Sequence, residues 1–122
     1  MRLLAIPLLL TATWLSMPGI ALAQQAGEDS GARKPLEAYL LGHATGDGSF
    51  MRQAFLPTAH IEGIRDGKFL SWTADEYIAG FNGKPAADEA NRKRSIDSVD
   101  ISGNAAMARV TLGYPGGTFT DY

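Results

Sequence analysis

His60 and Glu62 stand two residues apart in a run that alternates in polarity, so on an extended strand both project from one face. An imidazole beside a carboxylate can be oriented or made more basic, the arrangement a general acid or base needs. A solvated strand face produces the same pair with no chemistry attached, because alternation alone is enough. His43 closes an apolar helical stripe and suits either a satisfied buried histidine or a ligand contact. Tyr39, Trp72, Tyr77 and Phe81 are the aromatics that could line a pocket for a flat organic ligand; as plain core they would simply pack. A metal site needs at least three ligands, and the only candidates, His43, His60 and Glu62, show none of the short helical spacings that mark such sites. Neither a metal nor a cofactor is therefore expected. The chain has no Ser-His-Asp signature, phosphate-binding loop or dinucleotide glycine pattern.

Positioning these side chains falls to a short series of elements. Pro35 suits the first turn of a helix, with Leu36, Tyr39, Leu40 and His43 on one face and Gly46-Asp47-Gly48 as its stop. Phe50 to Phe55 forms a second helical piece that ends before Pro57. Asp66-Gly67 between two extended runs predicts a two-residue hairpin, which pairs Arg65 with Lys68, Ile64 with Phe69, Glu62 with Ser71 and His60 with Thr73. Ile61, Leu70 and Trp72 then share the opposite face. Thr73-Ala74-Asp75-Glu76 is a capping box flanked by Trp72 and Tyr77 at the staple positions, and it predicts a helix over 74–81. Ala86 to Arg94 reads as a loop, with Arg92-Lys93-Arg94 as a solvated basic run. Ser95–Ile101 and Ala105–Tyr114 alternate as strands around Gly103-Asn104, with Ala106, Ala108, Val110 and Leu112 on one face. Pro115-Gly116-Gly117 then turns the chain into an extended run from Thr118 to Tyr122.

The first residues carry an address rather than structure. Arg2, the apolar run from Leu3 to Leu15, Pro18-Gly19 and Ala21-Leu22-Ala23 are the parts of a cleavable export signal over residues 1–23. Residues 24–34 read as a flexible polar leader, and 35–122 as one domain. Removing 23 of 122 residues leaves 99, enough for one core. Only Arg2 of the 11 basic residues goes with the signal, so 10 remain against 13 acidic ones, a net charge of −3. That balance excludes the clustered positive charge a nucleic-acid partner needs. A periplasmic or secreted location is expected, with no membrane attachment after cleavage. Without cysteine, packing alone must hold the fold.

Two helical pieces, an Asp66-Gly67 hairpin, a capped helix and an antiparallel meander form an order that resembles the nuclear transport factor 2-like fold. Within it the chain is similar to the exported putative lumazine-binding and SnoaL-like proteins. The resemblance covers Pro35 to Tyr122 and is carried by Tyr39–Asp47, by Arg65-Asp66-Gly67-Lys68 leading into Thr73–Phe81, and by Val99–Val110 with its Gly103-Asn104-Ala105 turn. It implies an α+β fold in which helices pack on a curved antiparallel sheet, a cystatin-like cone. Against the ketosteroid isomerases of that fold, Tyr39 takes the tyrosine position, but the base position falls on Gly63, which cannot accept a proton. The isomerase mechanism therefore does not transfer. Family members carry a further strand pair after the position of Tyr122, so the resemblance also implies an incomplete sheet whose edges favour a homodimer. The leading expectation is an exported domain that binds a small aromatic or heterocyclic molecule among Tyr39, His43, His60, Trp72, Tyr77 and Phe81. The alternative is an interaction module of the cell envelope, and third comes a weak acid/base enzyme using His60 and Glu62.

Overall fold

The computed structural model describes residues 18–122, with side chains from Asp29 onward. Arg2 and the apolar run of the expected export signal lie outside the described residues. Helix α1 (Pro18–Thr45) is followed by α2 (Gly48–Ala54), strands β1 (His60–Arg65) and β2 (Lys68–Thr73), helix α3 (Ala74–Ile78), a 3₁₀ turn (Glu89–Asn91), and strands β3 (Lys93–Ser102), β4 (Ala105–Tyr114) and β5 (Gly117–Asp121). Among the described residues no helix is long and apolar enough to cross a membrane.

The first helix corrects one expectation. Instead of starting at Pro35, α1 runs through that residue from Pro18 and takes the 24–34 segment with it. That segment has no apolar stripe, but once a nucleus exists propagation adds a hydrogen bond per residue and can extend a helix without one. An Arg33–Asp29 ion pair at 3.0 Å, one turn apart, supports it. The expected stop at Gly46-Asp47-Gly48 holds: Gly46 adopts φ +70°, and the Asp47 side chain caps α2 by accepting from Ser49 N at 2.8 Å.

The antiparallel layer comes in two parts, β1-β2 and β3-β4-β5. The hairpin pairs as its turn dictates: Arg65 opposite Lys68, Ile64 opposite Phe69, Glu62 opposite Ser71 and His60 opposite Thr73. Asp66 at φ 51° and Gly67 at φ 73° supply the two left-handed residues of a type I′ turn. In the second sheet a bulge at Asp97, between Ile96 and Ser98, bends β3. β5 returns along β4 with Val110 opposite Asp121 and Leu112 opposite Phe119. Helix α3 is shorter than expected, ending at Ile78, while its capping box forms in full.

Apolar burial sits at two places. Met51, Ala74 and Ile78 are buried, with Tyr39, Phe55, Ile61, Tyr77 and Phe81 packed around them. Val110 and Leu112 are buried on the inner face of β4. Gly42 is where α1 meets the first cluster, since a Cβ there would lie 2.8 Å from Met51 Cε. Gly42 thus seats α1 against α2, and α1 also packs on β3.

Candidate functional site

A cleft of about 1010 Å³ opens between α1, the β1-β2 hairpin and the inner faces of β4 and β5. Its polar end is built from the helix outward. Tyr39 and His43 are one turn apart on α1, with ring centroids 4.7 Å apart in an edge contact. The Tyr39 hydroxyl donates to Asp121 Oδ2 at 2.6 Å, joining α1 to the end of β5. The Tyr77 hydroxyl lies 3.1 Å from His43 Nε2. Burial, then the neighbouring Tyr77 and Asp121, push the Tyr39 phenol far above its ordinary range, so it keeps its proton and acts as a donor. Tyr77 is raised too, by burial first, with the neighbouring Tyr39 hydroxyl working against it.

His43 is held as a neutral imidazole. Burial lowers its pKa to about 4, and the Arg94 and Arg92 guanidinium groups push the same way. The Arg94 side chain is only 8% exposed, so the solvated reading of 92–94 fails at Arg94, while Lys93 is exposed as expected. Arg94 lies on β3, makes a two-pronged bond to Glu89 at 2.6 and 2.8 Å, and donates to the His43 carbonyl at 3.2 Å. Glu89, carried by the 3₁₀ turn, is the chief cause of the raised Arg94 pKa. A buried charge needs such a partner, and the run of three basic residues hid it. Arg92 and Arg94 also sit over the ring of Tyr114, a lining residue, at 4.3 and 5.2 Å.

Tyr39, His43, His60, Trp72 and Tyr77 all line the cleft; Phe81 does not. Phe81 stands behind it, in edge contact with His43 at 5.5 Å and Tyr77 at 5.6 Å, as part of the packed cluster. Trp72 and Tyr77 lie 6.3 Å apart, as the staple positions imply. His60 and Glu62 are both exposed, and among the described residues no hydrogen bond joins them. Glu62 accepts from Ser71 Oγ at 3.3 Å instead. Across the strand Ser71 offers a donor, while His60, two residues along, does not come within bonding reach. Gly63 is exposed, with nothing within 4 Å of where a Cβ would be. Among the described residues no group of three or more His, Asp or Glu side chains is placed to hold a metal.

Asp121 is the residue sequence reasoning passed over. Its signal was the turn at Pro115-Gly116, which sets Val110 opposite Asp121 and so puts a carboxylate on the apolar face of the second sheet. Arg65 was missed for a different reason. It ends β1 but lies over the Phe119 ring of β5 at 5.6 Å, a contact between the two sheets that no local pattern announces.

Residues 27–122 match the family model described as putative lumazine-binding. Two solved structures are similar along most of their length. One, a nuclear transport factor 2-like protein of unknown function from Silicibacter pomeroyi DSS-3, is 22% identical, with 86% of this chain and 82% of that one covered at a TM-score of 0.60. The other, a nuclear transport factor 2-like protein of unknown function from Shewanella baltica OS155, is 25% identical, with 78% and 81% covered at 0.64. No curated protein matches.

Proposed function

The chain belongs to the putative lumazine-binding family of nuclear transport factor 2-like domains, and from that premise we propose that it is an exported binding domain for a small flat heterocycle. The observation that carries the proposal is the cleft, whose volume of about 1010 Å³ sits at the upper end of the roughly 300–1,000 Å³ of small-molecule sites. Tyr39, Trp72, Tyr77 and Phe119 give it aromatic walls, and Asp121, His43 and the two tyrosine hydroxyls give it a polar end. Export rests on Arg2, the Leu3–Leu15 run and Ala21-Leu22-Ala23. Thermal unfolding with lumazine and a panel of related bicyclic heterocycles tests the binding: a ligand that raises the midpoint in proportion to its concentration supports it. A panel that leaves the midpoint unmoved, with no heat on titration, removes it.

A second reading is favoured by one observation on the hairpin. Ile64 and Phe69, paired across β1 and β2, are 71% and 64% exposed, an apolar pair on the face turned away from Trp72. Their exposure supports pairing with a second copy of this chain through the sheet. Sedimentation of the full chain with Ile64→Lys as control tests it, and a monomer at every concentration ends it.

A further inference from the structure

Asp121 and Tyr39 define what the polar end of the cleft offers a ligand, and both offer acceptors. The Tyr39 proton is given to Asp121 Oδ2 at 2.6 Å, so the phenol oxygen can only accept from a further partner. Among the described residues Tyr39 is the only side chain that donates to Asp121, so no side chain donates to the second carboxylate oxygen of a residue that lines the cleft. A carboxylate accepts through both oxygens and donates through neither. The charged residues of the lining are Glu62, Arg65 and Asp121; the Glu62 side chain lies on the strand face of Ser71, to which it is bonded, which leaves Asp121 as the carboxylate at the polar end beside Tyr39. Arg65 lies over the Phe119 ring, two residues from Asp121 on β5.

Resting on the small-molecule reading above, we propose that Asp121 is the specificity-determining residue of the cleft and that it selects heterocycles presenting ring N–H or amino donors. Tyr39 is its positioning partner. Flat imides and amino-substituted bicyclic rings fit that demand, with the ring faces against Trp72 and Tyr77 and the donor edge on the carboxylate. Anionic ligands do not, because the carboxylate repels them. This is the reverse of an oxyanion site, which would aim donors into the cavity.

The test is calorimetric titration of the full chain with matched probes: lumazine and diaminopteridine as donors, dimethyllumazine, whose ring N–H groups are both methylated, as the blocked control. A charge-assisted hydrogen bond lost in a partly open site weakens binding by roughly ten- to a hundredfold, and that preference of lumazine over dimethyllumazine is expected. Asp121→Asn should weaken both donors and leave dimethyllumazine unchanged, collapsing the preference. The comparison of the two probes on the unaltered chain stands even where the variant folds poorly. Equal affinity for lumazine and dimethyllumazine overturns the proposal while leaving the binding reading intact. Absence of binding by all three overturns both.

Discussion

Tyr39 and Asp121 are 82 positions apart in sequence, yet their side chains meet at 2.6 Å and tie the first long helix to the last strand. A hydrogen bond to a charged group contributes on the order of 1.5–3 kcal/mol, and at this half-buried place the lower end applies. Tyr39→Phe should therefore cost about 1–2 kcal/mol in urea unfolding, and Asp121→Asn somewhat less, since the amide oxygen can still accept. Combined, the two changes should cost less than the sum of the singles, because the second removes a partner already lost. Strict additivity would mean that the bond does not form in solution.

His43 makes stability depend on pH in a defined window. Its folded pKa is about 4, against an ordinary 6.5 once the chain unfolds. Between those values the unfolded chain binds more protons, so stability rises with pH and is lost as the solution is acidified from about 6.5 toward 4. After allowance for partial solvent access the full effect is on the order of 2 kcal/mol. Glu76 and Glu89, held below their ordinary 4.5 by Thr73 and by Arg94, act at lower pH and leave the upper part of the window to histidine. Urea midpoints at pH 7 and 5 should differ for the wild type and converge for His43→Gln. A directly titrated His43 near 6.5 would contradict this account.

Sequence pattern reached the local structure and stopped where two distant pieces meet. Asp66-Gly67 set the hairpin register residue by residue, because a two-residue turn with two left-handed positions admits a single pairing. Thr73 and Glu76 announced their helix for the same reason, since both partners lie within one turn. Arg94 with Glu89, Arg65 over Phe119, and Asp121 with Tyr39 have no such signature. Arg65 over Phe119 and Asp121 with Tyr39 depend on how the sheets and α1 come together, and Arg94 with Glu89 on the 3₁₀ turn before β3, none of which composition and periodicity encode. Only part of the candidate site was therefore visible beforehand: the walls made by Tyr39, Trp72 and Tyr77, but neither Phe119 nor the carboxylate at its end.

Arg94 should be intolerant of losing its partner. With its side chain 8% exposed and both prongs on Glu89, it would become an uncompensated buried cation in Glu89→Gln. Breaking a buried pair in this way costs up to about 3–5 kcal/mol, and the 27% exposure of Glu89 argues for roughly 2–4 here. Arg94→Met, which removes the charge as well, should be better tolerated than Glu89→Gln. Thermal midpoints of the two variants give the order, and the reverse order would mean that Glu89 leaves the pair in solution.

Gly46 should be irreplaceable by alanine. It sits at φ +70°, and a Cβ there would lie 1.9 Å from the Lys84 carbonyl oxygen, which is backbone and cannot swing aside. Its own carbonyl accepts from Gly83 N at 2.8 Å, so the two loops are stitched at that point. The left-handed penalty alone is about 1–2 kcal/mol, and displacing the 82–85 loop adds to it. Gly46→Ala is expected to lose roughly 3 kcal/mol or more in chemical unfolding. A loss under about 1 kcal/mol would show that the loop yields freely.

Trp72 and Phe81 separate binding from packing, because only one of them faces the cleft. Trp72 lines it beside Tyr77, whereas Phe81 lies behind His43 and Tyr77 in the packed cluster. Replacing Trp72 by Leu keeps an apolar side chain on the strand but removes a stacking face that contributes about 0.5–1.5 kcal/mol, so lumazine affinity should fall roughly three- to tenfold. Phe81→Leu should leave that affinity within about twofold while lowering stability by about 1–2 kcal/mol through lost packing. Calorimetric titration paired with urea unfolding on both variants reads the two quantities separately. If Phe81→Leu weakened binding as much as Trp72→Leu, the cleft would have to extend past His43 into the cluster, and its aromatic wall would need to be redrawn.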